Sequence, residues 1–322
     1  MTRRSWALLL GVLVSLGAVG LALTQVDVSQ LGDSLSRARY IYILPSFAVF
    51  LLGLLARAYR WQYLLDQPIT LRSSFSINSI AYLLNSLLPL RAGEVARVLL
   101  SARTEPPIPV VQSTSLIVVE RLLDLLFVVI LLALGLGMGG VLPTEVRAAA
   151  FVSAPVALLA LLLLTLLAYR PAWAEVVTRL FESRIPFLAR ELHHIMSALA
   201  LLRRPAQFAR VLLWTAIGWL CTIAATVVLM LVFFERVDWL TTCLVTGALA
   251  FAAALPAAPG NIGTYELAVL VVLRAAGYDE NVAFVFGVLL HAVDVGVYLL
   301  AGISGLLHLG LNLSQFSREL AR

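Results

Sequence analysis

Apolar residues fall in long blocks along this chain, with short polar clusters between them. Blocks over about 6–23, 40–59, 110–136, 149–168, 208–233 and 282–309 hold 18 to 28 residues each. About 20 apolar residues in a helix cross a hydrocarbon core of roughly 30 Å. The pattern therefore predicts six transmembrane helices. Two further stretches break it. Over about 74–102 an apolar run is interrupted at Pro89 and Gly93, and over about 240–277 at Pro256, Pro259, Gly260 and Gly263. Each half is too short or too polar to cross alone, so each stretch predicts a re-entrant hairpin that dips in and returns. Irregular backbone at membrane depth is tolerated only where protein or a polar cavity shields it.

Residues 170–207 carry a third pattern. Trp173, Val176, Val177, Leu180 and Phe181 recur at helical spacing, as do Leu192, Ile195, Met196 and Leu199, with arginines between them. This predicts two amphipathic helices lying on the membrane surface. The expected fold is an all-α polytopic membrane protein, a single domain over 1–322. The first block could instead be a cleaved signal peptide, but its apolar run is long for one, and a retained helix is expected.

Arginine placement orients the spans. With the N-terminus inside, the inner segments hold Arg3 and Arg4, then Arg57, Arg60 and Arg72, seven arginines from Arg170 to Arg210, and finally Arg318 and Arg322. The outer loops hold Arg37, Arg39, Arg147 and Arg236. Basic residues favour the cytoplasmic side. Both termini and residues 170–207 are therefore expected in the cytoplasm, in a cell (inner) membrane. Three crossings separate the two hairpins, so they enter from opposite faces. In the first, Pro89 is followed by Glu94, then Glu120 and Asp124. In the second, Pro259 is followed by Glu266, then His291 and Asp294. This is a weak inverted repeat, an architecture of secondary transporters that bind substrate near the midplane.

The stretch "LLPLRAGEVAR", residues 87–97, places Arg91, Glu94 and Arg97 inside the first hairpin. A half-helix starting near Pro89 would expose unpaired N–H groups and a positive dipole end at membrane depth. With Arg91 beside it, that is an anion pocket, and a phosphate is the anion a membrane offers. In the second hairpin Gly260, Asn261 and Gly263 would let backbone approach a ligand closely. Glu120 and Asp124 share a helix face, as do His291 and Asp294. Ionisable residues inside a membrane usually line a polar path or pair with one another. Both readings stay open: a path holding a headgroup or relaying protons, or neutralisation of Glu94, Glu120 and Asp124 by Arg91, Arg97 and Arg121.

Composition narrows the class. Hydrophobic residues make up 61% and charged residues 13%, far from a soluble domain. All 23 basic residues are arginine, and they are scattered between apolar blocks, so the net charge of +5 does not point to nucleic acid. Cys221 and Cys243 lack metal-ligand spacing and read as small apolar filler. No metal site, cofactor or nucleotide-hydrolysis motif is expected.

Asn85, Pro89, Arg91, Gly93, Glu94 and Arg97, followed by "ERLLD" and "PGNIGTYE", resemble the membrane region of the lysylphosphatidylglycerol synthetase/flippase family. The resemblance covers nearly the whole chain. It implies a flippase-like, lipid-translocating membrane domain with re-entrant helices. Fused members add a cytosolic aminoacyl-transferase domain. Residues 1–322 carry none, so lipid aminoacylation is not expected of them, and the cargo is left open. The expected function is non-enzymatic transport of an anionic, phosphate-bearing lipid, with Asn85, Arg91, Glu94, Arg97, Glu120, Arg121, Asp124, Gly260, Asn261, Gly263, Glu266, His291 and Asp294 lining its route. Candidate partners are that lipid, a lipid-synthesising enzyme and a second copy of the chain as a homodimer. The alternatives are a membrane enzyme, or an accessory protein, in the synthesis of lipid-linked sugars or modified phospholipids.

Overall fold

A computed structural model of the chain describes residues 13–22, 31–65, 69–88, 91–136, 204–253 and 259–311, with a few single positions between them. The fourth predicted span and nearly all of the amphipathic segment lie outside the described residues, as does Pro89. Described helices are α1 (Leu13–Ala22), α2 (Leu31–Ser36), α3 (Ile43–Leu65), α4 (Leu71–Leu87), α5 (Ala92–Ser101), α6 (Val110–Leu136), α7 (Pro205–Met230), α8 (Trp239–Ala252), α9 (Thr264–Ala275) and α10 (Glu280–His308). No strand occurs among the described residues.

Length sorts them. At 1.5 Å per residue, α3, α7 and α10 reach about 35 Å or more, and they are apolar enough to cross a membrane. α6 is as long at 27 residues, but carries Glu120, Arg121 and Asp124 mid-helix. α4, α5, α8 and α9 hold 17, 10, 14 and 12 residues, and none reaches 30 Å.

Local chemistry sets the boundaries. The Thr70 hydroxyl accepts from the Ser73 N–H at 3.1 Å and starts α4. Asp238 accepts from the Thr241 N–H at 2.7 Å and starts α8, and Asp279 does the same for α10 through Val282 at 3.0 Å. Pro205 opens α7, where its missing N–H costs nothing. Leu88 leaves α4 in extended backbone, φ −114° and ψ 147°. The following proline disfavours helix at that residue.

The helices pack about two ends and a middle. At one end, Gln112 Nε2 donates to the Leu65 carbonyl and Gln207 Nε2 to the Tyr63 carbonyl. Trp61, Ile69, Leu100, Ile108, Leu116, Val211 and Leu306 bury together there. At the other end, the Arg39 guanidinium donates to the Phe234 carbonyl at 2.7 Å, and Tyr278 stacks edge-on against Phe234. The first set joins segments predicted to share the inner side, and the second joins the predicted outer loops. The α4/α5 pair opens at the first end and the α8/α9 pair at the second.

Several boundaries differ from the sequence reading. The second span begins at Tyr40 as predicted, in a 3-10 turn that leads into α3, but runs on to Leu65 rather than Tyr59. Arg57 and Arg60 are therefore not inner-loop charges but parts of α3, and Arg60 is held there by the pairing described below. Gly93 does not break the chain. It sits in the first turn of α5, and a Cβ there would lie 1.9 Å from the Ala81 carbonyl oxygen. Its lack of a side chain sets the α4–α5 approach. The second half of that hairpin starts at Ala92, three residues after Pro89. α1 supplies Ser15 and Val19 against Gly263, and Ala22 is buried in the main core. The described part of the first span is thus packed into the bundle. Cys221 and Cys243 are free thiols, as a filler role requires.

Candidate functional site

The ionisable residues divide into two groups. The first joins α3, α5 and α6. Arg97 forks onto Glu120, Nη1 to Oε1 at 2.9 Å and Nη2 to Oε2 at 2.5 Å. Arg60 reaches both Glu120 at 2.9 Å and Asp124 at 2.5 Å. Arg121 touches Glu120 at 3.1 Å, Glu94 at 3.5 Å and Asp124 at 3.6 Å. Trp219 Nε1 donates to Asp124 at 3.3 Å, and the Arg97 guanidinium lies 3.7 Å over the Trp61 ring. Three cations thus meet three carboxylates, and the group is formally neutral. The neutralisation reading holds for these side chains with one exchange: Arg60 takes the place of Arg91. The forked geometry suits arginine and not lysine. Exposure grades across the group. Arg60, Arg97 and Glu120 are sealed at 2% or less, while Arg121, Glu94 and Asp124 are 35%, 20% and 17% exposed. The network is therefore sealed at its core and open at one edge.

The second group joins α3, α4, α7, α9 and α10. Glu266 Oε2 accepts from the Gly263 N–H at 2.7 Å, and Oε1 meets His291 Nδ1 at 2.6 Å. Against a carboxylate, the Nδ1 tautomer that donates is the consistent one. The Tyr265 ring stacks on His291 with centroids 4.4 Å apart, and its hydroxyl donates to Asp294 at 2.7 Å. Tyr82 stacks on Tyr298 at 5.2 Å. Arg57 lies over Tyr82 at 5.4 Å and donates to the Thr222 hydroxyl at 3.1 Å.

The hairpin tips meet between these groups. Arg91 Nη2 donates to the Ala253 carbonyl at 2.9 Å, so the first hairpin holds the second. A Cβ on Gly260 would sit 3.0 Å from the Ser86 carbonyl oxygen. Among the described residues, Arg91 and Asn261 are the non-glycine residues at positive φ, 54° and 56°, and Gly260 and Gly263 stand at 74° and 87°. Both second halves start alike. A left-handed residue precedes α5 and α9, and a glutamate, Glu94 or Glu266, is third in each. The Asn85 side chain accepts from the Gly93 N–H at 2.9 Å, satisfying one of the donors that a helix start leaves over.

Of the residues singled out in the sequence, Glu94, Arg97, Glu120, Arg121 and Asp124 come together in one group, and Glu266, His291 and Asp294 in the other. Asn85, Arg91, Gly260, Asn261 and Gly263 shape the tips. Sequence reasoning missed Arg57, Arg60, Tyr82, Trp219, Thr222, Tyr265 and Tyr298. A signal existed for the arginines. In "RAYRW" they are three apart, on one helix face, at the end of an apolar run that continues as "QYLL". The tyrosines carry no pattern that separates them from interior aromatics.

The model of the family described as the lysylphosphatidylglycerol synthase TM region matches residues 8–302. Among curated proteins, the chain is similar to Glycosyltransferase AglD of Haloferax volcanii, 25% identical over 352 residues. That alignment takes in 97% of this chain and 56% of the relative, so the chain spans about half the relative's length. No solved structure matches. A family match over most of the chain, with apolar helices of membrane length, makes this a membrane-embedded protein with a lipid-related role, and the chain belongs to the lysylphosphatidylglycerol synthase TM region family.

Proposed function

We propose that the protein moves an anionic, phosphate-bearing lipid between leaflets, as a flippase or scramblase, without altering it chemically. The observation that carries this reading is the meeting of two half-length hairpins, opened toward opposite ends, beside a polar group that includes a cation. Broken helices of this kind build midplane substrate sites in secondary transporters. On this reading the six crossings and two hairpins form an inverted repeat in the cell membrane, with both termini cytoplasmic. The first charged group is scaffold. The second, with Arg91 at the tips, lines the route.

The match to a protein named glycosyltransferase favours a second reading. Here the membrane region serves the synthesis of lipid-linked sugars, as an enzyme or as the platform for a partner enzyme. The readings separate on whether the lipid's mass changes.

Glu266→Gln tests the route. The amide oxygen can accept from Gly263, and the amide N–H can donate to the other tautomer of His291. Both bonds survive in form, so the cost in stability should stay near the 0.3–1 kcal/mol of a helix-terminus charge. A protonation change at this position is lost. The expected result is a folded protein with a melting temperature within a few degrees of wild type, and lipid transfer in vesicles reduced at least about tenfold, the cost of about 1.4 kcal/mol. Transfer at the wild-type rate across the pH range would remove proton exchange at Glu266 from the mechanism.

A further inference from the structure

We propose that Arg57 is the cation that takes the lipid phosphate, and that Asp294 is the counter-charge the phosphate displaces. This site rests on the transport reading above and names its headgroup contact.

Arg60, Arg97 and Arg121 are each bound to carboxylates. Arg57 is one helical turn before Arg60 and is not. Its contacts are the Thr222 hydroxyl, the Tyr82 ring and the Tyr298 hydroxyl, all neutral. Among the described residues it makes no ion pair within 4.0 Å. A charge at membrane depth without a counter-ion is costly, which is why such residues pair or face a polar route. Two carboxylates lie near Arg57: Asp124, which binds its neighbour Arg60, and Asp294, one turn before Tyr298 on α10, whose ring stacks on the Tyr82 ring under Arg57. Asp124 is committed to Arg60, Arg121 and Trp219. Asp294 holds a bond from Tyr265 on one oxygen, and its Oδ1 takes no hydrogen bond among the described residues. Arg57 and Asp294 therefore flank one polar site without closing a pair.

The chemistry fits a phosphate diester. A guanidinium carries five donors in a planar fork, and the Thr222 and Tyr298 contacts use two. The phosphate brings the negative charge that Arg57 lacks. Asp294 then keeps its bond from Tyr265, whose ring stacks on His291, which binds Glu266 at the start of α9. Arrival of the headgroup at Arg57 is thus felt at the tip of the second hairpin. Arg91, the cation favoured from sequence, already donates to the Ala253 carbonyl and serves to join the tips.

The test is thermal unfolding of the purified full chain in detergent, titrated with short-chain phosphatidylglycerol, short-chain diacylglycerol or inorganic phosphate. Phosphatidylglycerol should raise the midpoint of the wild type and diacylglycerol should not. Arg57→Gln should weaken the apparent affinity at least about tenfold, as expected when a charge-assisted contact is lost. Asp294→Asn should strengthen it severalfold, because the competing carboxylate is gone. If Arg57→Gln does not fold, Arg57→Lys and Asp294→Asn carry the test, with weaker and tighter binding expected. Unchanged affinity in the Arg57 variants overturns the proposal. So does weaker binding in Asp294→Asn, or an Arg57-dependent shift with inorganic phosphate and none with the lipid. Arg57-dependent lipid binding without transfer between leaflets supports this site and removes the transport reading.

Discussion

Replacing Glu120 by alanine should leave little folded protein. Its two oxygens serve Arg97 twice, Arg60 once and Arg121 once, and the side chain is 1% exposed. The substitution leaves Arg60, Arg97 and Arg121 facing Glu94 and Asp124, an excess of one positive charge. Arg60 and Arg97 are each only 2% exposed, so water cannot replace the lost partner. Removing one member of a buried pair commonly costs about 3–5 kcal/mol. That is a large share of the roughly 5–15 kcal/mol that holds a typical protein together. The expected outcome is loss of the monodisperse peak in detergent, or a midpoint at least about 6 °C lower, taking 2–4 °C per kcal/mol. Arg97→Ala in the same chain should restore part of the loss, because three against three becomes two against two. Single and double variants within 2 °C of wild type would show that the network contributes nothing to the fold.

Gly93→Ala should be nearly as damaging, for a steric reason. The added carbon would lie 1.9 Å from the Ala81 carbonyl oxygen and 2.6 Å from Asn85 Oδ1. The first obstacle is helical backbone, which has no rotamer to change. Either α5 moves away from α4, or the Asn85 bond to the Gly93 N–H breaks. Overpacking costs about 1–3 kcal/mol and sometimes more, and a lost hydrogen bond adds about 1 kcal/mol. The shifted half-helix would also carry Glu94 and Arg97 out of register with Glu120. Gly17→Ala is the control, since nothing lies within 4 Å of a Cβ there. A fall of at least about 5 °C is expected for Gly93→Ala and none for Gly17→Ala. Equal midpoints would mean that the close crossing of α4 and α5 is not a feature of the protein.

Sequence patterning carried the architecture far because a membrane leaves few choices. α6 occupies the predicted 110–136 without change, and α7 and α10 fall within three residues of their expected bounds. Long apolar runs must be helices in lipid, since no other single segment satisfies its own backbone. The hairpins were visible for the complementary reason: proline and glycine interrupt runs too short to cross. Partners were harder to see. Arg57 and Arg60 follow an apolar run, and a charge after such a run is ordinarily a loop charge, which is where the arginine count placed them. The true position of Arg60 depends on Glu120 and Asp124, some 60 residues away in sequence, and that of Arg57 on Thr222, farther still. Likewise Arg91 had every local mark of an anion site, yet its recorded contact is the Ala253 carbonyl, 162 residues on. Spacing along a helix reveals which side chains share a face. It does not reveal which helix that face meets.

The account stands most directly on one measurement. The purified protein is placed in vesicles with fluorescent lipids confined to one leaflet, and transfer is followed while lipid masses are recorded. Phosphatidylglycerol and a polyprenyl-phosphate lipid form one arm, and diacylglycerol the neutral arm. A third arm adds nucleotide-activated sugar. The account predicts that a phosphate-bearing lipid crosses faster than in protein-free vesicles, that diacylglycerol gains nothing, and that every lipid keeps its mass. Phosphate lipids that cross no faster than in empty vesicles, or a lipid that gains mass in the presence of the sugar donor, would contradict it.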